Sequence, residues 1–198
     1  MLDKPDLTAL LGSRICHDLI SPIGAIGNGL ELLLMDGAPG GPEMVLISES
    51  VANASARIRF FRVAFGMAQP DQRIGRAEVQ SILTDMTRGG RLQINWQTDA
   101  DLSRPEVKIT FLLIQCLESA MAYGGRISVS RADEKWLVTG SANKLKINTD
   151  LWEVLDNPSA NPEITPALVQ FPLVAEELLR HGYRLRTTLG ESEIRLEF

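Results

Sequence analysis

Residues 14–33 read RICHDLISPIGAIGNGLELL, and their spacing predicts one long amphipathic helix. Apolar residues recur at intervals of three, four or seven, which gathers them on one face: Ile15, Leu19, Ile26, Leu30 and Leu33. Because successive helical residues turn by about 100°, His17 lies roughly opposite Ile15. The neighbours of His17 on its own face are polar or small, among them Ser21, Gly24 and Asn28. Another protein could therefore approach this imidazole closely.

His17 is followed by an acidic residue, a leucine and, five positions on, Pro22. This spacing resembles the phosphoacceptor box in the dimerisation domain of histidine kinases. The longer stretch over residues 17–26, HDLISPIGAI, more closely resembles the alphaproteobacterial histidine phosphotransferase family of the ChpT type. The resemblance implies that His17 carries a phosphoryl group between aspartates of response-regulator receiver domains. An ordinary surface histidine is the alternative interpretation of this motif.

The chemistry of the two adjacent residues His17 and Asp18 suits such a role. Neutral imidazole can accept a phosphoryl group and release it near pH 7, because its titration range lies close to that pH. The Asp18 carboxylate could orient a nearby group or take up a proton, which makes it the second candidate catalytic residue. The alternative for Asp18 is a solvated charge on the helix surface.

Composition excludes several other classes of protein. The 198 residues suffice for one large domain or two small ones, and 44% of them are hydrophobic. The net charge is −5 and no block of Lys or Arg stands out, so we expect no nucleic-acid partner. No run is long enough to span a bilayer, and the N-terminus lacks a signal-like apolar core. Two distant cysteines, Cys16 and Cys116, fit a reducing compartment, so we expect a cytoplasmic protein.

A second helix is predicted at residues 42–67, after a break rich in Gly and Pro at residues 37–42. Its apolar positions alternate intervals of three and four: Met44, Ile47, Val51, Ala54, Ile58, Phe61 and Phe65. Two long helices joined by a short loop predict an antiparallel hairpin, whose wide apolar face needs a cover. We therefore expect a homodimer in which two hairpins form a four-helix bundle. Residues 1–69 are assigned to this dimerisation and histidine phosphotransfer hairpin.

From residue 70 the pattern changes to mixed helices and strands, which makes the fold class α+β. The predicted helices cover residues 76–87, 105–123, 149–155 and 164–181, and the predicted strands cover residues 92–97, 126–131, 136–141, 183–189 and 192–198. This order resembles a shortened ATP-binding domain of histidine kinases. Residues 70–198 are therefore expected to form an α/β sandwich resembling a degenerate ATPase domain.

The degeneracy rests on three departures from the kinase pattern. Gln115 and Ser119 stand where the kinase helix has a pair of asparagines. Residues 138–142, VTGSA, lack the Asp and the second Gly of the kinase nucleotide loop, and residues 157–162, NPSANP, replace its glycine-rich lid. The resemblance thus implies no ATP binding and no cofactor. Any Mg²⁺ used in phosphoryl transfer would come from the receiver partner.

The expected docking surface for the receiver is the helix face around His17, formed by Arg14, Ser21, Gly24 and Asn28. Pairing the two helices about their loop places the region of Phe61 and Arg62 beside His17. Arg59 and Arg62 are therefore further candidates for contacting the phosphoryl group or the acidic receiver pocket. A solvated helix flank is the alternative for these two arginines.

Three functions remain open from the sequence. The first is a phosphotransfer protein in a two-component phosphorelay, and the resemblance implies that a hybrid histidine kinase's receiver is among its partners. The second is an active histidine kinase or phosphatase that uses ATP, which the missing nucleotide loops disfavour. The third is a regulatory binding module that modulates kinases, which the intact His17 motif disfavours. Whether the chain is an enzyme in the strict sense stays open.

Overall fold

The computed structural model describes residues 7–36, 41–98, 101–133, 135–157, 160 and 162–198. Within the first helix it leaves out the side chains of Thr8, Ala9, Gly12, Ser13, Cys16, Leu34 and Asp36. The break predicted at residues 37–42 therefore falls largely outside the described residues. Part of the NPSANP segment is also outside them.

Two long helices form the predicted antiparallel hairpin. Helix α1 spans Leu7–Asp36 and continues through the buried Pro22, and helix α2 spans Pro42–Ala64. The helices approach each other closely at Gly29, where an added Cβ would lie 2.6 Å from Cγ1 of Ile47. Helix α2 ends three residues before the predicted residue 67.

The remaining elements alternate between helices and strands. They are β1 (Arg73–Ile74), α3 (Arg76–Thr87), β2 (Leu92–Gln97), β3 (Leu102–Ser103), α4 (Arg104–Ala120), β4 (Gly125–Ala132), β5 (Lys135–Ser141), α5 (Thr149–Glu153), a 3₁₀ turn (Pro166–Leu168), α6 (Gln170–His181), β6 (Arg186–Leu189) and β7 (Glu193–Glu197). Every predicted helix and strand has its counterpart in this order. The short pair β1 and β3 was not predicted.

A five-stranded sheet in the order β2-β4-β5-β7-β6 forms one face of the second region, which follows the hairpin. β2 pairs with β4 in parallel, and the other pairs are antiparallel. Alternate residues of β4 and β5 point into the core, including Ile127, Val129, Trp136 and Val138. Helix α4 covers them and is buried on nearly all sides, which fits its almost continuous apolar run. The region is thus a sheet covered by helices.

The end of α2 belongs to the core of this second region. Phe60, Phe61, Val63 and Ala64 are buried there. The guanidinium of Arg104, at the start of α4, donates hydrogen bonds to the carbonyl oxygens of Val63 (3.0 Å) and Arg62 (2.6 Å). These bonds satisfy carbonyls that the helix end would otherwise leave free. The proposed boundary at residue 69 therefore follows a helix that is already part of the second core.

The hairpin carries most of the exposed large apolar side chains. They include Ile20, Ile23, Leu30, Leu32, Met35, Met44, Val45, Leu46, Val51 and Ile58. In the part of the chain that the structure describes, no helix has both the length and the apolar character to cross a membrane.

Candidate functional site

His17 projects from α1 with 86% of its side chain exposed. Its Nδ1 lies 3.1 Å from Oδ1 of Asp18, whose side chain is only 10% exposed. Because a carboxylate only accepts hydrogen bonds, we assign the hydrogen of the neutral imidazole to Nδ1. The lone pair is then on Nε2. The exposed ring therefore offers one nucleophilic nitrogen, and the buried Asp18 fixes which one it is.

Two guanidinium groups surround the Asp18 carboxylate. Arg14 Nε donates to Oδ2 at 2.8 Å, and Arg57 Nη1 lies 3.7 Å from the same oxygen. A carboxylate this buried is costly unless positive charges accompany it, and these two arginines supply them. Arg14 also donates from Nη1 to the carbonyl of Ala167 at 2.6 Å, which ties α1 to the 3₁₀ turn of the second region.

A cavity of about 390 Å³ opens beside His17 between α1 and α2. Its α1 wall includes His17, Asp18 and Ser21, and its α2 wall includes Asn53 and Arg57. Arg57 Nε donates to Oδ1 of Asn53 at 3.0 Å, which holds the arginine along its own helix. Residues of both helices therefore line one cavity together with the exposed imidazole.

The structure groups some of the predicted docking residues and separates others. Ser21 lines the cavity, and Gly24 and Asn28 continue along the exposed face of α1. A Cβ added at Gly24 would meet nothing within 4 Å, so this face is open. Arg14 lies in the same stretch, but its side chain is only 17% exposed and bonds within the fold.

Arg59 and Arg62 pair with α3 and do not line the cavity beside His17, and their predicted role in receiver binding stays a prediction. Arg59 Nη1 lies 2.8 Å from Asp85, and Arg62 Nη2 lies 3.7 Å from Glu78, and both partners are on α3. Helix positions two apart are separated by about 200°, so Arg57 and Arg59 face different neighbours. The residue that faces Asp18 is Arg57, which the sequence analysis missed. Burial of Phe60 and Phe61 in the second core sets this rotation of α2.

A second acidic residue comes to the site from the second region. Glu118, in α4, lines a cleft together with Asn53 and Arg57. The residue keeps exposed surface, but desolvation of its carboxyl raises the pKa above the ordinary value, and the charges of Arg14 and Arg57 oppose this shift. The cluster around Asp18 thus contains residues of α1, α2 and α4. No sequence motif marked Glu118.

The positions of the kinase asparagines are occupied by Gln115 and Ser119, both on α4. Gln115 is 2% exposed, and neither atom of its amide has a hydrogen-bond partner among the described residues. The Ser119 hydroxyl donates to the carbonyl of Cys116 at 2.6 Å. A Cβ at Gly140, at the end of β5, would lie 2.9 Å from Cδ2 of Leu117, so the strand packs tightly on α4. Within the described residues, no cluster of three or more His, Cys, Asp or Glu side chains could hold a metal ion.

Comparisons with known proteins agree on one family. Residues 76–193 match the family model described as the histidine phosphotransferase C-terminal domain. The protein phosphotransferase ChpT of Brucella abortus (strain 2308) is 38% identical over 169 residues, which cover 82% of this chain and 79% of that protein. A solved structure of a bacterial phosphotransferase superposes with a TM-score of 0.81 at 32% identity, covering 100% of this chain and 97% of that one.

Proposed function

The chain belongs to the histidine phosphotransferase family, of the ChpT type, and we propose that His17 is the residue that carries the phosphoryl group. One observation carries this proposal: an imidazole that is 86% exposed has its Nδ1 held by a buried carboxylate. This arrangement leaves Nε2 free to act as a nucleophile towards a docked partner. It is the geometry that a phosphoryl carrier needs.

Transfer of the phosphoryl group needs no reactant besides His17 and the partner's aspartyl phosphate. The Nε2 lone pair of His17 attacks the phosphorus of an aspartyl phosphate on the partner, and the N–P bond forms as the P–O bond breaks. The bonding electron pair leaves with the partner's carboxylate. The hydrogen stays on Nδ1 and donates its hydrogen bond to the Asp18 carboxylate, whose negative charge stabilises the positive charge of the phosphorylated ring. The reverse sequence delivers the phosphoryl group to the next aspartate.

The partners that fit this chemistry are response-regulator receiver domains, including the receiver of a hybrid histidine kinase. We infer that they approach the open face of α1 through Ser21, Gly24 and Asn28, because this face is exposed and adjoins His17. The receiver would bring the Mg²⁺ that neutralises the transferred group. ATP would play no part, since the residues at the kinase asparagine positions are engaged or buried. Such a relay protein would act in the cytoplasm.

The hairpin supports a homodimeric four-helix bundle as the working state. On α2 the side chains of Met44, Val51 and Ile58 lie on one stripe and are 45%, 46% and 53% exposed. Leaving this apolar stripe in water is unfavourable, and a second hairpin would cover it. Val51→Glu should therefore dissociate the dimer, because it places a charge in the covered stripe. Light scattering at micromolar concentration checks this, and a monomeric wild-type protein would contradict the dimer.

The direct test of the proposed acceptor mixes purified protein with phosphorylated receiver domains. We expect acid-labile phosphate on the wild-type chain and none on His17→Ala. The His17→Ala chain should keep its melting temperature, because the side chain is exposed and its removal changes stability by less than about 0.5 kcal/mol. Label on the His17→Ala chain would place the acceptor elsewhere.

A further inference from the structure

The two arginines around Asp18 are held to different degrees. Arg14 is 17% exposed and donates short hydrogen bonds both to Asp18 and to the carbonyl of Ala167. Arg57 is 32% exposed, and its Nη1 lies 3.7 Å from Asp18, which is longer than a hydrogen bond. Arg14 is therefore a fixed part of the fold. Arg57 can therefore leave Asp18 for another anion at a small cost in free energy.

Arg57 also lies at the cavity beside His17. Both residues line the same cavity, and Asp18 contacts both of them. The hydrogen bond from Arg57 Nε to Asn53 anchors the base of the guanidinium to α2. Nε is thus engaged, and Nη1 makes only the longer contact with Asp18.

Charge supplies the reason for a new contact. Phosphorylation of His17 adds a dianionic group to a ring whose other nitrogen is held by the Asp18 carboxylate, and the two negative charges repel each other. Guanidinium groups bind phosphoryl oxygens in a fork geometry that suits their parallel N–H groups. Of the two arginines at Asp18, Arg57 is the one that makes no short hydrogen bond to the carboxylate, so it can turn towards a phosphoryl oxygen.

We propose that Arg57 is a further catalytic residue, which contacts the phosphoryl group on His17 directly and neutralises its charge during transfer. This inference rests on the proposed role of His17. Arg57 Nη1 moves from Asp18 to a phosphoryl oxygen, no covalent bond of the arginine changes, and no proton is transferred. Asp18 keeps the hydrogen bond from Nδ1 and the ion pair with Arg14 throughout.

The test uses the full chain and phosphoramidate, a small donor that phosphorylates imidazole without a protein partner. The rate of phosphohistidine formation is followed by ³¹P NMR in wild type, Arg57→Ala and Arg57→Lys. Loss of a charge-assisted hydrogen bond should slow Arg57→Ala about tenfold to hundredfold, with partial recovery in Arg57→Lys. Arg180→Ala is the matched control, because Arg180 also pairs with a glutamate, Glu177, but lies on α6 and does not line the cavity, so this variant should react at the wild-type rate.

A double-mutant cycle separates direct contact from an effect through Asp18. If Arg57 contacts the phosphoryl group, Arg57→Ala should slow phosphohistidine formation by the same factor in an Asp18→Asn background as in wild type. The proposal would be overturned if Arg57→Ala did not change the rate of phosphohistidine formation in the Asp18→Asn background. Equal rates for wild type and Arg57→Ala would also overturn it while leaving His17 as acceptor. Absence of phosphohistidine on the wild-type chain would instead overturn the proposed function.

Discussion

The rings of Phe60 and Phe111 stack with their centroids 4.8 Å apart, and this contact joins helix α2 to helix α4. Phe60 is 1% exposed and Phe111 is fully buried. The helical hairpin and the sheet region therefore share a core at the point where the sequence suggests a boundary. A shared core couples the stability of the two parts.

The first prediction tests this coupling with Phe60→Ala. Removing a buried phenyl ring should destabilise the chain by about 3–5 kcal/mol. All three tryptophans, Trp96, Trp136 and Trp152, lie in the second region, so fluorescence reports that region while far-ultraviolet circular dichroism also reports the hairpin. The two urea transitions should coincide. Separate transitions for the two probes would show that the cores are independent.

A matched pair of glycines in α1 gives the second prediction. Gly24→Ala should stabilise the chain by up to about 1 kcal/mol, because alanine favours a helix and the new methyl meets no atom within 4 Å. Gly29→Ala should destabilise it, because the methyl would lie 2.6 Å from Cγ1 of Ile47 and force α2 outwards. Thermal melts of both variants check the opposite signs. A stabilised Gly29→Ala would show that the helices can separate easily.

The third prediction places a bulky side chain on the expected docking face. Gly24→Arg should fit the folded chain, since nothing fills the space around that position. It should nevertheless block a receiver from reaching His17. The expected result is lost receiver binding and transfer with an unchanged melting temperature. Phosphoramidate labelling of His17 serves as control, because a donor this small needs no docking surface. Normal receiver transfer would place the partner on another face.

The fourth prediction concerns the pH dependence of stability at Glu118. Although Glu118 keeps exposed surface, desolvation raises the pKa of its carboxyl in the folded state, so the folded chain binds the proton more tightly than the unfolded chain. The resulting stability is present below the ordinary glutamate range of about pH 4 and is lost as pH rises through the raised pKa. Glu118→Gln should therefore raise the melting temperature at pH 7 and lose this advantage near pH 4. A variant that melts lower at pH 7 would mean that the Arg14 and Arg57 pairing dominates.

The sequence predicts the elements well where local patterns determine them. The bounds of α3 and β2 match the predicted residues 76–87 and 92–97, because helical and alternating spacings are clear there. Helix α6 begins at Gln170 rather than residue 164, since the chain first makes the 3₁₀ turn that starts at Pro166. The two-residue strands β1 and β3 have too few positions to show any period.

The site was predictable only in part. The motif at residues 17–26 gives His17 and Asp18 as the candidate catalytic residues, a role that stays a prediction, and the helical turn correctly places His17 outside the apolar face. Arg57 could not be identified by pairing residues of the two helices that lie at equal distances from the connecting loop. That pairing fixes position along α2 but not rotation about its axis, and burial of Phe60 in the second core determines the rotation. Glu118 is brought in from another element, which no local pattern reports.

The exposure of His17 has a consequence for how well the protein could store what it carries. A phosphoryl group on a ring that is 86% exposed would stand open to water whenever no receiver covered it. The loaded chain would then lose phosphate at a rate independent of its partners. Throughput of the relay would depend on how quickly successive receivers arrive, so their local concentration would set the fraction of signal that leaks away.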